Sequence, residues 1–509
     1  MQDSAERKPK THWETNLVEH NNLKESLARR VIKGSAWLFS SYALSALGRM
    51  VMMLVIAALL SPREYGIIGL CAIIVLIAQI INEFGIWQAV VHHREPDERF
   101  INTAFTANVF GALLTTGALF LAAPWVAEFY GEPVMTAMLR VMGLAFVLDA
   151  VFYVPDGLLR KELRFKSRAL PEVAATFGAV VTTVGLILLG GGVLSYAIGL
   201  VVDSAIRCVL TFTQISWRPV LQVSWPCLRE IIWYGRHTMG TNLALSISSN
   251  VDNLLVGRIL GAGPLGFYTL AFNLANYPVN NFVQITKRIL FPTFATLQGN
   301  PDHAKRVYLK VVRIEAALIA PALITLAFLA DPLVVSLLGE KWQPAVFPLQ
   351  LMVIAGISRT ISFPSADMLR AFGFPNLTFK INICEALVVL GALLLVAPRG
   401  IDAVAATVAV VLSLFAWTTV ATSCRIFGIK LREMGLALTP GVALAASGAG
   451  AILCLGLLDL SFWPDGLYLP VAATVAGAAM FTCLVTVCRS FLWETVALVT
   501  SRKQMRKMV

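Results

Sequence analysis

Four ionisable side chains, Arg49, Glu83, Asp252 and Arg359, each sit well inside an apolar stretch or lack an opposite charge close by on the same stretch. A charge at the centre of a membrane-spanning helix costs about 2.5–3.5 kcal/mol on insertion scales, so such groups face a water-filled cavity or a protein partner. Arginine suits an anionic head group, because its planar fork binds phosphate oxygens bidentately and keeps its charge when buried. Carboxylates in the same setting bind a coupling proton or cation. These residue types therefore point to a polar pathway through lipid, with Arg49, Arg207 and Arg359 as binding groups and Glu83, Asp203 and Asp252 as coupling groups.

Other intramembrane charges have blander readings. Asp203 and Arg207 are four residues apart and share a helix face, so they pair within that helix as readily as they bind a ligand. Arg140 and Arg258 lie near span ends and can reach the interface along their stems. Glu315 and Asp367 sit close to Arg313 and Arg370, which neutralise them. A second set of polar groups forms stripes: Asn242, Ser246, Ser249, Asn250 and Asn253 recur at helical spacing, and so do Asn273, Asn276 and Asn280. Asn250, Asn253, Asn273 and Asn276 are the asparagines placed to hydrogen-bond a hydroxyl-rich ligand. Interhelical bonding, about 0.6 kcal/mol per contact, is the competing use.

The elements that must position these groups are long apolar helices. The chain is 57% hydrophobic and 14% charged with mean hydropathy +0.73, far from the ~25% charge of soluble domains. A ~30 Å hydrocarbon core takes about 20 apolar residues per helix. Fourteen stretches qualify: 35–60, 65–90, 101–123, 134–155, 169–189, 193–215, 238–260, 265–291, 311–329, 346–369, 377–397, 403–424, 438–458 and 467–487. Basic residues orient them, since short cytoplasmic loops retain lysine and arginine. Of 41 such residues, Arg63, Arg258, Lys341 and Arg399 fall in outer loops, Arg49, Arg140, Arg207 and Arg359 fall in spans, and all the others fall inside if both termini are cytoplasmic. The net charge of +11 is largely this orientation signal and gives no reason to invoke nucleic acid.

The reading is an all-α polytopic membrane protein: a cytoplasmic tail (1–33) with a short amphipathic run through Leu17 and Val31, a first lobe of six helices (34–216), an interfacial linker (217–234), a second lobe of six (235–425), two further helices (426–489) and a basic cytoplasmic tail (490–509). An ungapped overlay of 51–70 on 251–270 supports two lobes, matching Val51 with Val251, Leu54 with Leu254, Leu60 with Leu260, Gly66 with Gly266 and Leu70 with Leu270. Six helices precede the linker, so the lobes share one orientation, as in transporters built from parallel repeats with the substrate site between them. The eight cysteines are not spaced as a metal or redox motif, and no Walker loop, zinc cluster or serine nucleophile motif is present. Neither a cofactor nor a catalytic metal is expected.

Six stretches together carry a family resemblance: NVDNLLVGRILGAGPLGFYTLAFNLANYPVNNF (250–282), KRILFPTFATLQ (287–298), LLGEKWQPAVFPLQ (337–350), LSPREYGIIGL (60–70), NEFGIWQAVV (82–91) and RFKSRAL (164–170). The chain resembles polysaccharide flippases of the MOP superfamily, in the Wzx-type branch that includes colanic-acid exporters, over about residues 30–430. The resemblance implies two MATE-like six-helix lobes around a cationic cavity that opens alternately inward and outward. It also implies a multi-pass protein of the bacterial inner membrane that moves undecaprenyl-diphosphate-linked oligosaccharide repeat units for exopolysaccharide, capsule or O-antigen synthesis. The partners it implies are that lipid-linked oligosaccharide, membrane lipids, a polymerase and a co-polymerase, with proton or sodium gradient coupling open. Its rivals are a peptidoglycan-precursor flippase or multidrug exporter of the same superfamily, and, more remotely, a membrane glycan polymerase or acyltransferase.

Overall fold

The computed structural model describes residues 37, 40–93, 97–162, 164–457, 468–489 and 491. The amphipathic run of the N-terminal tail and the basic tail beyond Phe491 lie outside them. Helices are the only regular structure among the described residues. The first lobe holds α1 (Ser40–Leu59), α2 (Pro62–Glu83), α3 (Ile86–His92), α4 (Glu98–Tyr130), α5 (Val134–Lys161), α6 (Phe165–Leu188) and α7 (Leu194–Phe212). The second holds α8 (Trp225–Ile259), α9 (Ala262–Thr296), α10 (Pro301–Phe328), the short α11 (Ala330–Leu338), α12 (Val346–Ala371), α13 (Pro375–Val396) and α14 (Ile401–Ile426). Helices α15 (Leu431–Gly456) and α16 (Tyr468–Thr486) follow and pack on α10. The face from which α1 sets out is called near, and the face at which it ends, far.

Each of the fourteen apolar stretches falls on a helix over its described residues, α3 continuing the stretch begun by α2. Twelve helices among the described residues are long and apolar enough to cross a membrane. The two that fall short of that apolarity, α8 and α9, have 35 residues each, about 52 Å at 1.5 Å per residue, and carry the asparagine stripes. Both overrun the apolar stretch at the near face. The second half of the expected linker, from Trp225 on, is therefore the first turns of α8. Its first half is extended, and three polar side chains of α4 satisfy its backbone: Val220 N–H donates to Asn102 Oδ1 (3.3 Å), Gln222 N–H to Thr106 Oγ1 (3.0 Å) and Ser224 N–H to Thr103 Oγ1 (3.0 Å). A strap that left those amides bare would be costly in an apolar setting.

The packing repeats. In the first lobe α5 lies against α2, α4 and α7, and α6 against α7; in the second α12 lies against α9, α10 and α14, and α13 against α14. The lobes meet where α2 crosses α9 at the far face. A Cβ on Gly66 would lie 1.9 Å from the Ala262 carbonyl oxygen, and a Cβ on Gly266 would lie 1.8 Å from that of Pro62. Small residues let backbones approach this closely. Beside the crossing the buried Trp342 ring meets Tyr65 of one lobe and Phe267 of the other edge-on, at 5.4 and 5.9 Å. Its Nε1–H donates to the Ala57 carbonyl (2.8 Å), and Lys341 Nζ donates to those of Ala58 and Leu60 (2.8 Å each). The second lobe thus caps the last carbonyls of α1, which have no partner within their own helix. At the near face the break between α2 and α3 provides another joint. Phe84 is in the left-handed region at φ 42°, and it is the one non-glycine residue there among the described residues. A Cβ on Gly235 of α8 would strike its carbonyl oxygen at 2.2 Å.

Candidate functional site

Halfway along their helices stand Arg49 on α1, Arg359 on α12 and Glu385 on α13. Arg49 belongs to a network of the first lobe. Its Nη1 lies 3.4 Å from Glu172 Oε1 of α6, and Glu172 Oε2 lies 3.8 Å from Arg207 Nε of α7. Arg207 also grips Asp203 one turn earlier on its own helix, the pairing their spacing predicts. The Arg49 and Glu172 side chains keep 37% and 36% of their exposure despite their depth, so the network is not sealed by its neighbours. Toward α2 and α5, Gln79 Nε2 donates to Asp149 Oδ2 (3.3 Å) and Tyr153 Oη (3.0 Å). Glu83 accepts from Gln88 Nε2 (2.8 Å) at the end of α2.

The second lobe holds a counterpart. Arg359 Nη1 donates to Asn276 Oδ1 of α9 (3.3 Å), its guanidinium sits 5.8 Å from the Phe363 ring centre, and Glu385 and Asp252 are its nearest opposite charges. Lys287 lies over the same ring, 4.8 Å from its centroid. An arginine and a lysine against one aromatic ring hold positive charge in place without neutralising it. Tyr277 of α9 donates to the Ala46 carbonyl of α1, tying the two halves near the level of Arg49.

Asp252 itself is enclosed. Tyr268 Oη donates to its Oδ2 (2.6 Å), Asn253 Nδ2 to its Oδ1 (3.2 Å), and Thr269 Oγ1 to Asn253 Oδ1 (3.3 Å). All four side chains are buried within the α8–α9 hairpin. The asparagine stripes divide accordingly. Asn253 and Asn276 are buried. Asn250 remains half-buried, donating to the Ser246 carbonyl on its own helix, and Asn273, also half-buried, lies beside Tyr65 across the lobe interface. The structure therefore brings together Arg49, Asp203 and Arg207 in one lobe, with Glu83 acting on the same group through Asp149 and Tyr153, and Arg359, Asn276 and Asp252 in the other, and it leaves Asn250 and Asn273 apart from both groups. Three of the blander readings have partners: Arg370 pairs with Asp367, while Arg140 and Arg258 lie over Phe120 and Phe129 at 4.3 and 4.8 Å.

Sequence reasoning missed Glu172, the residue that links two of its three arginines. The signal was present, since 169–189 includes that position, but it lies three residues inside the start of the stretch and reads as an end residue. Helix α6 begins at Phe165, which carries Glu172 two turns in.

A family model described as "Polysaccharide biosynthesis protein" matches residues 55–347. The chain belongs to that family. The matched region contains the Gly66–Gly266 crossing, the Lys341–Trp342 cap and the Glu172–Arg207 contact. LSPREYGIIGL supplies the Ser61–Glu64 capping box, the Arg63–Glu132 pair (2.8 Å) and Gly66. RFKSRAL supplies Arg168, which with Arg160 holds the buried Asp156 at 2.6 Å on each side. The chain is 26% identical over 378 residues to the lipopolysaccharide biosynthesis protein WzxC of Escherichia coli (strain K12), covering 73% of this chain and 76% of that one. It is 24% identical over 359 residues to the teichuronic acid biosynthesis protein TuaB of Bacillus subtilis (strain 168), covering 70% and 74%. The structure superposes on that of the lipid II flippase MurJ in an inward closed conformation with TM-score 0.71 and 10% identity, covering 91% of this chain and 100% of that one. At that identity the likeness concerns the fold: two six-helix lobes followed by two helices.

Proposed function

We propose that this family member flips diphosphate-linked oligosaccharides, carried on a polyisoprenyl lipid such as undecaprenol, across the bacterial inner membrane by alternating access. The observation that carries the reading is an arginine at mid-depth in each lobe, Arg49 and Arg359, on either side of an interface that is tightly closed at the far face. The diphosphate binds between Arg49 and Arg207 on one side and Arg359 on the other, and the half-buried Asn250 and Asn273 bond sugar hydroxyls. Asn253 and Asn276 join them once the lobes part. Family membership and the biosynthetic names of WzxC and TuaB support the substrate class. The near face is cytoplasmic in this reading, as are both termini. No chemistry is done on the substrate, and a polymerase with its co-polymerase extends the glycan on the far side.

Glu83, Asp203 and Asp252 belong to the same proposal as groups coupling transport to a proton or sodium gradient. Asp203 is the best placed, since it shares Arg207 with the diphosphate. The test is transport of a labelled prenyl-diphosphate-linked oligosaccharide into proteoliposomes, with and without ion gradients. Protein-dependent movement to the far leaflet supports the reading. Movement of a peptidoglycan precursor or of cationic drugs in its place would transfer the chain to one of the rival activities.

A further inference from the structure

Glu172 touches both of the first lobe's candidate binding arginines, Arg49 and Arg207, and it does so loosely. Charge-assisted N–H···O bonds settle at about 2.7–2.9 Å. The chain makes such bonds where pairing holds helices together, as at Asp156, where Arg160 and Arg168 both stand at 2.6 Å. The Glu172 carboxylate instead sits 3.4 Å from Arg49 Nη1 and 3.8 Å from Arg207 Nε. Arg207 has a firm anchor of its own in Asp203, and its buried Nε has no hydrogen-bond partner among the described residues. Two guanidiniums from two helices thus converge on one carboxylate, and one buried donor is left unused.

We infer that Glu172 is the resident occupant of a two-arginine anion site, and that an incoming diphosphate displaces it. A carboxylate brings one charge and two oxygens to two guanidinium forks. A diphosphate brings more of both and engages the open Arg207 donor while Asp203 keeps that arginine in place. The exposure of Arg49 and Glu172 supplies a route by which the flexible glutamate swings out as the diphosphate enters. Helix α1 comes close to α6 beside the pair because Gly48 lacks a side chain, a Cβ there lying 3.1 Å from Thr176 Cγ2. With Glu172 in place the empty site is neutralised, so singly charged anions gain little by entering. The site thereby selects for diphosphates. Only the source of the diphosphate rests on the reading given above.

The test uses the full-length protein in lipid nanodiscs, with inorganic pyrophosphate and farnesyl diphosphate titrated by calorimetry. Glu172→Gln, which removes the competitor, is expected to bind both about tenfold more tightly than the unmodified protein. Arg49→Gln and Arg207→Gln are expected to weaken binding at least tenfold, and the pair Glu172→Gln with Arg49→Gln to show no gain. Glu172→Asp keeps the charge and is expected to stay within about threefold of the unmodified protein. A purely structural Glu172 predicts the opposite sign, so unchanged or weaker pyrophosphate binding by a Glu172→Gln protein of normal melting temperature overturns the inference. A gain with pyrophosphate but none with farnesyl diphosphate supports the displacement and assigns the site to a soluble diphosphate. Failure of oligosaccharide transport would leave this binding result standing, so the two ideas fail separately.

Discussion

Gly66 and Gly266 occupy equivalent positions in the two lobes, and each stands where a side chain would strike the backbone of the other helix: the Ala262 oxygen lies 1.9 Å from a Cβ at Gly66, and the Pro62 oxygen 1.8 Å from a Cβ at Gly266. The reciprocity of the two clashes is the signature of an internal two-fold arrangement. Their contact is a direct backbone approach between the lobes at the far face.

Substituting Val at either glycine should hold the far face apart. Such variants are expected to insert and melt normally, to lose more than tenfold in transport, and to show faster thiol labelling of a cysteine placed at Thr269, whose Cγ2 would lie 3.3 Å from a Cβ at Gly69 across the crossing. Unchanged labelling would mean that the helices part elsewhere.

Trp342→Phe keeps the ring between Tyr65 and Phe267 and removes the bond to Ala57. A loss of about 0.5–1.5 kcal/mol in stability is expected, the net worth of one hydrogen bond. Trp342→Ala empties a buried aromatic site and should cost about 3–5 kcal/mol. Differential scanning fluorimetry of the purified variants, side by side, separates the two effects.

Arg49→Ala and Arg359→Ala are each expected to lower transport more than tenfold at normal expression. Lysine at the same positions should not restore it, because a point charge lacks the fork that takes two oxygens. Full activity in both alanine variants would remove the cationic site.

Tyr268→Phe and Asp252→Asn separate two uses of one carboxylate. Hydrogen bonds to charged groups contribute about 1.5–3 kcal/mol, so a purely structural Asp252 predicts that both variants lose stability and retain the same gradient dependence. If Asp252 couples transport to an ion, Asp252→Asn alone abolishes the response of transport to that gradient in proteoliposomes.

Much of this organisation is legible in the sequence because membrane helices announce themselves by length and apolarity, and because the Gly66/Gly266 match survives in an ungapped overlay. The charge networks are harder to read. Arg207 and Asp203 are neighbours on one helix, so spacing finds them, whereas Arg49 and Glu172 meet only through the packing of α1 on α6. Spacing also cannot separate two asparagines on one stripe: Asn250 stays half-buried while Asn253, less than one turn away, is sealed against Asp252 and Thr269. The start of α8 at Trp225 escaped for another reason, since helix propensity continues past the point where hydrophobicity stops.

The strap before α8 is stitched to α4 by Asn102, Thr103 and Thr106. Mechanically it belongs to the first lobe, and the covalent slack between the lobes shrinks to the junction at Trp225. Any swing of the second lobe must then pivot about the foot of α8, close to the joint where Gly235 rides on Phe84. The far-face crossing, at the other end of the lever, therefore travels the greater distance.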